Sequence, residues 1–205
     1  MLKIAVTGNI ACGKSFAGQL LKEYGLPVLD CDHVVHELLL QNNQITSELI
    51  EILKPNDILN NNSSESTVID RRKLGKIIFN DNALRRKVEE LVHPKCFETI
   101  DAFFDKQKAL GEKIAFNLIP LLFETNSQNR YDQIWLMYCN ENVQYERFKI
   151  RNPELDIEDI ENRIKSQISQ EKKKELSDFI IDNSGSKENT EQQLRKILNG
   201  FGIIK

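Results

Sequence analysis

The sequence predicts an α/β fold with a doubly wound, parallel, five-stranded sheet. Three observations carry that prediction. Short apolar runs rich in β-branched residues alternate with longer segments of helical period, as expected when parallel strands are joined by crossover helices. The first run, Leu2-Lys3-Ile4-Ala5-Val6-Thr7, is almost wholly apolar, which suits a strand buried on both faces. A glycine-containing turn follows it directly and opens a helical pattern.

That turn, Gly8-Asn9-Ile10-Ala11-Cys12-Gly13-Lys14-Ser15, fits G-x-x-x-x-G-K-[ST]. Its glycines let the backbone curl so that successive N–H groups point inward at phosphate oxygens. Lys14 supplies a point charge for β- and γ-phosphates, Ser15 a hydroxyl for Mg²⁺, and the helix begun there aims its positive end at the anion. The strand before and the helix after, closed by Gly25, give the motif its proper context, so the chain is expected to bind a nucleoside triphosphate. Cys12 has two readings: a thiol whose pKa is lowered by inward-pointing amides, or a small residue filling the loop.

Residues 25–29 read as a second strand ending in Asp30-Cys31-Asp32. Carboxylates at the carboxyl end of such a strand lie where open α/β sheets bind ligands. Strand alternation would turn Asp30 and Asp32 to the same side. From residue 34 to 110 no strand signal appears. Helical patterns begin at His33 and Ile45, and residues 56–67, rich in Asn and Ser, read as a flexible loop. Helical spacing resumes at Leu84, is expected to stop near His93-Pro94, and restarts at Cys96. Residues 34–110 thus form a helical insertion, leaving 1–33 and 111–205 as the nucleotide-binding core.

Residues 113–119 are the third strand, followed by Pro120-Leu121-Leu122-Phe123-Glu124, and residues 133–138 are the fourth. A polar helical stretch over 142–174 holds Arg147, Arg151, Arg163 and the run Lys172-Lys173-Lys174. Residues 179–181 form the fifth strand, and 190–198 a closing helix.

Composition narrows the function. The chain has 205 residues, a net charge of −3 and 29% charged residues, without the basic excess of a duplex nucleic-acid binder. The most apolar run, residues 114–123, is short and contains Asn117 and Pro120, so no membrane span is expected. Met1-Leu2-Lys3 leads straight into a strand, leaving no room for a signal peptide. Four scattered cysteines form no C-x-x-C pair, which points to a reducing cytoplasm. The absence of an N-K-x-D segment counts against a GTPase. Clustered arginines between the fourth and fifth strands suit a small-molecule kinase whose lid, about residues 141–175, brings guanidinium groups onto the transferring phosphoryl.

Taken together, these segments resemble the dephospho-coenzyme A kinase family. The resemblance rests on the phosphate loop; on Leu29-Asp30-Cys31-Asp32 with Val35-His36-Glu37-Leu38; and on Asp70-Arg71 with Leu74-Gly75 and Phe79. It continues through Glu89 with His93-Pro94, the segment Pro120 to Glu124, Gln144 with Arg147 and Arg151, Arg163 with Gln167, and Ile181-Asp182-Asn183-Ser184-Gly185-Ser186. It implies a nucleoside-kinase-type core, a helical domain for dephospho-coenzyme A, a lid, and ATP-dependent phosphorylation of the substrate's ribose 3′-hydroxyl. Asp32 matches the carboxylate facing that hydroxyl, with Asp30 as the competitor. Arg147 and Arg151 match the lid arginines, four residues apart on one helix face. Gly8, Ala11, Cys12, Gly13, Lys14, Ser15 and Phe16, with Asn183, Ser184 and Gly185 beside the adenine, match the ATP site. Arg71, His93 and Glu124 match substrate-side positions; His93 reads equally as a helix stop, and Glu124 equally as a cap for backbone.

The chain departs from the family at Asn9 and Ala11, where glycine is usual, at Phe16, where Ser or Thr is usual, and at Leu118, where many members are acidic. Ala11 fits only if its φ stays negative. Two rivals remain: a kinase of nucleoside monophosphates or another small alcohol, and a nucleotide-binding regulator without turnover.

Overall fold

In the computed structural model β1 (Leu2–Thr7) is the middle strand of the sheet, between β3 (Ile114–Leu118) and β4 (Gln133–Tyr138). Outside them lie β2 (Val28–Asp30) beside β3 and β5 (Phe179–Asp182) beside β4. All four pairings are parallel, with Ile4 opposite Phe116 and Val6 opposite Trp135. The structure describes residues 1–40, 43–53, 58 and 69–204, without the side chains of 71, 72, 79, 80 and 82.

The order β2-β3-β1-β4-β5 makes the end of β1 a switch point. The chain leaves β1 toward β2 and β3 on one side and returns to β4 and β5 on the other, opening a crevice at the strand's carboxyl end. β1 is buried from Ile4 to Thr7 and β3 throughout, the two-sided burial that their apolar runs required.

Strand alternation sends Ile4, Val6, Phe116, Leu118, Trp135 and Met137 into one core with two helices. These are α1 (Lys14–Glu23), through Ala17, Leu20 and Leu21, and the closing helix (Lys187–Gly200), through Leu194 and Leu198. Trp135 is fully buried, edge-on to Phe116 with centroids 5.2 Å apart and stacked on Phe201 at 6.1 Å. Gly18 on α1 has no room for a Cβ, which would overlap Leu118 Cδ1; the helix rests on β3 by its bare backbone.

Chain contacts divide the protein into one unit of Met1–Asp30 with Phe104–Lys205 and another of Cys31–Phe103. The second unit is helical: α2 (Cys31–Leu40), α3 (Gln44–Leu53), α4 (Arg71–Asn80) and most of α5 (Asn82–Ala109). Leu39, Leu49, Leu53, Leu74, Val88 and Val92 meet in its core. The loop expected over residues 56–67 falls outside the described residues, apart from buried Ile58.

One expectation about a helix fails. The break at His93-Pro94 does not occur, because α5 runs through Pro94. Val88, Val92, Cys96 and Ile100 form a buried stripe at four-residue spacing, while Pro94 faces solvent. Burying those side chains is worth about 1.5–3 kcal/mol for each large apolar one, against about 3 kcal/mol for a proline in a helix interior. The stripe wins.

The polar helical stretch after β4 consists of three helices: α6 (Glu141–Arg151), α7 (Ile157–Lys165) and α8 (Gln170–Glu175). Each begins at a side-chain cap. Asn140 accepts from Val143 N, Asp156 from Asp159 N and Ser169 from Lys172 N. Caps so closely spaced divide the segment. The closing helix, α9, is capped likewise by Ser186, which accepts from Asn189 N.

Candidate active site

The phosphate-loop segment leaves β1 in a path that only part of its sequence favours. Gly8 packs against β4 so closely that a Cβ would stand 2.6 Å from the Met137 carbonyl oxygen. Gly13 has φ 99°, and a Cβ there would overlap Asn183 Nδ2. Ala11 has φ 62°, so the condition that it keep a negative φ is not met. An L-residue in this left-handed region costs about 1–2 kcal/mol. Ala11 is held there by packing, buried with Phe148 of α6 and Ile160 of α7 in one apolar cluster.

Hydrogen bonds fix the successive peptide groups of the loop. Cys12 N donates to Asn9 O at 3.1 Å. Ile10 N donates to Gln167 Oε1 at 2.8 Å, and Ile10 O accepts from Gln144 Nε2 at 3.0 Å. Cys12 O accepts from Asn183 Nδ2 at 3.0 Å. Loop carbonyls are thus taken up by amides, and α1 starts at Lys14, which sets the positive end of a helix dipole directly after the loop. This is an anion-binding arrangement.

Behind the loop, Gln170 Nε2 donates to Gln144 Oε1 at 2.9 Å, and Gln170 Oε1 accepts from Cys139 N and Cys12 Sγ at 3.1 and 3.2 Å. Cys12 Sγ also lies 3.1 Å from Cys139 Sγ. The second thiol and burial push the Cys12 thiol well above its usual range. The lowered pKa does not arise; Cys12 fills the loop.

Lys173 was part of an apparently basic run, yet its side chain is fully buried and pairs with Glu124 Oε1 at 2.8 Å. Its neighbours Lys172 and Lys174 pair with Glu175 and Glu171 at the surface. Glu124 Oε1 also accepts from Ile168 N at 3.0 Å. Sequence reading missed this pair. Nothing local in the sequence separates Lys173 from the lysines on either side of it.

Arg147 is half-buried and donates to Asn183 O at 2.8 Å, while Arg151, one turn on, is exposed. Asn183 is buried, with Oδ1 accepting from Thr190 Oγ1 at 2.9 Å. Ser184 Oγ accepts from Asn140 N, and Gly185 is exposed. Phe16 lies under Lys187 Nζ, 5.7 Å from its ring centroid.

Ser15 is exposed and shares a cavity of about 410 Å³ with Asp30, Gly18 and Leu118. β2 ends at Asp30, whereas Asp32 is in the first turn of α2. Strand alternation therefore does not relate the two carboxylates. In the helical unit His93 is half-buried against Phe97, ring centroids 6.0 Å apart, and Arg71 opens α4 with its side chain outside those described. Among the described residues no group of three His, Cys, Asp or Glu is placed to hold a metal, and no helix is long and apolar enough to cross a membrane.

Comparison with known proteins gives a consistent result. The family described as dephospho-CoA kinase matches residues 2–189. A dephospho-CoA kinase of Staphylococcus epidermidis is 34% identical over 202 residues, covering 98% of this chain and 96% of that one. Among solved structures, TT1252 from Thermus thermophilus superposes with a TM-score of 0.78 at 28% identity, covering 97% of both chains. The dephospho-CoA kinase from Campylobacter jejuni does so with a TM-score of 0.68 at 30% identity, covering 97% of this chain and 96% of that one.

Proposed function

This chain belongs to the dephospho-CoA kinase family, an ATP-using kinase that phosphorylates dephospho-CoA in coenzyme A synthesis, and from that premise we propose how its own residues divide the work. The segment Gly8–Ser15 holds the ATP triphosphate, with Lys14 on the β- and γ-phosphates. Arg147 and Arg151 offset the charge on the transferring phosphoryl, and Asn183, Ser184 and Gly185 border the adenine. The 34–110 insertion is the dephospho-CoA domain, with Arg71 and His93 as contacts. Glu124 holds Lys173 and Ile168 N through Oε1, and its Oε2 serves the substrate side.

Asp32 accepts the proton of the ribose 3′-hydroxyl as that oxygen attacks the γ-phosphorus. The new O–P bond forms, the bond to the β-phosphate bridging oxygen breaks, and ADP leaves. Ser15 and Asp30, hard oxygen donors on one cavity, fit Mg²⁺, which would neutralise charge on the β- and γ-phosphate oxygens. That shared cavity favours a metal-side role for Asp30 and leaves the proton to Asp32. A cytoplasmic location fits its four free cysteines, which a reducing compartment keeps unpaired.

The observation that supports this most is the phosphate loop, whose carbonyls are bonded away while a helix amino terminus begins at Lys14. The test compares Asp32→Asn with Asp30→Asn. Asp32→Asn should lower kcat by about 10²–10⁴-fold with ATP binding near normal. Asp30→Asn should instead raise the Mg²⁺ requirement. The reverse pattern would exchange the two roles, and phosphorylation of AMP but not dephospho-CoA would remove the acceptor assignment.

A further inference from the structure

The Ile10 peptide groups are gripped from two sides by side chains far away in sequence. Gln167, just beyond α7, accepts from Ile10 N at 2.8 Å; Gln144 of α6 donates to Ile10 O at 3.0 Å. Gln144 is buried, and its Oε1 is itself held by Gln170 Nε2 at 2.9 Å, which fixes the orientation of its amide. With oxygen toward Gln170, only its donor end can face Ile10 O. The gripped carbonyl belongs to the peptide plane that leads into Ala11, whose φ of 62° lies in the left-handed region that is unfavourable for an L-residue.

We propose that Gln144 and Gln167 are positioning residues for the donor nucleotide: by taking up the two polar groups of Ile10, they hold the loop in the shape that receives the triphosphate. In a glycine-rich loop the curled shape is cheap. Here Ala11 resists it, and the two amides together with the Phe148 and Ile160 packing enforce it. Because Gln144 lies one turn before Arg147 on α6, the same helix that sets the loop also carries an arginine assigned to the phosphoryl group.

The inference rests on the reading of Gly8–Ser15 as the ATP loop, so the experiment includes Lys14→Ala as a separate check. Gln144→Met and Gln167→Met remove the hydrogen bonds at similar volume and add no charge. Equilibrium ATP titration, kcat per folded enzyme, and KM for dephospho-CoA are measured on the full chain. Each variant should weaken ATP binding about tenfold and lower kcat, leaving KM for dephospho-CoA within about twofold. A merely structural role would lower thermal stability and leave ATP affinity of the folded fraction unchanged. That result, or equal increases in both substrate constants, overturns the proposal. Gln167 is half-buried, so its variant serves if Gln144→Met does not fold. If Lys14→Ala weakens ATP binding while both Gln variants are silent, the clamp alone fails; if Lys14→Ala is also silent, the loop reading fails with it.

Discussion

Asn183 Nδ2 donates to the carbonyl oxygen of Cys12 at 3.0 Å, joining the end of β5 to the middle of the phosphate loop across 171 positions in sequence. The same amide fills the space that a Cβ on Gly13 would need. Its oxygen is held by Thr190 and its backbone carbonyl by Arg147, so one residue ties loop, β5, α6 and α9 together. Asn183→Ala leaves the Cys12 carbonyl without that donor and opens a void beside it. Urea unfolding should show a loss of about 2–3 kcal/mol. A change below about 0.5 kcal/mol would mean that the contact is dispensable.

Ala11→Gly should stabilise the protein, although Ala→Gly usually does the opposite. Relieving the left-handed alanine recovers about 1–2 kcal/mol, and the extra freedom of glycine in the unfolded chain takes back about 0.5–1 kcal/mol. The net gain of about 0.5–1 kcal/mol corresponds to a rise in Tm of about 1–4 °C for a chain of this size. A lower Tm would show that the methyl packed with Phe148 and Ile160 contributes more than its φ costs.

These two sites mark how far the sequence could be read. β1, β4 and the loop motif were legible because their signals are local: apolar runs, glycines at fixed spacing, and the lysine that follows. The family resemblance names candidate site residues for the same reason, motif by motif. What escaped depends on partners distant in sequence. Pro94 read as a stop because the rule for proline is local, whereas the stripe of Val88, Val92, Cys96 and Ile100 that carries α5 past it is a tertiary effect. Lys173 looked like part of a solvated basic run, and only its burial against Glu124 separates it from Lys172 and Lys174. Ala11 could be stated only as a condition, since φ is set by the loop's neighbours. Asp30 and Asp32 were expected to share a strand, but the strand ends between them and a helix begins.

A pH prediction follows from Tyr24, the residue that closes α1 and donates its phenol to Glu191 of α9 at 2.9 Å. Partial burial first, then the hydrogen bond and charge of Glu191, push its pKa up to about 12. In the unfolded chain it titrates near 10. Between those values the folded state keeps a proton that the unfolded state has released. Its contribution is therefore fully present below about pH 10 and is lost as pH rises toward 12. Stability of wild type and Tyr24→Phe, measured by urea unfolding from pH 9 to 11.5, should converge toward the alkaline end. A constant difference across that range would show that the phenol keeps its ordinary pKa in the fold.

The Glu124–Lys173 pair sets a harder test of what buried charge does behind the loop. Lys173 is fully enclosed, so removing the charge opposite it leaves an ammonium that water cannot reach. Glu124→Gln is the informative variant, because the amide oxygen can still accept from Ile168 N while the countercharge disappears. It should cost about 3–5 kcal/mol in urea unfolding. Replacing both, Glu124→Leu with Lys173→Met, should recover most of that loss, since a well-packed apolar pair avoids the desolvation that both charges incur. The recovered stability then separates two roles. If the double variant is stable and binds ATP normally, the pair only fills the core. If it is stable yet binds ATP weakly, then α8, which also carries Gln170, has moved relative to Gln144 and the loop, and the ion pair sets that position.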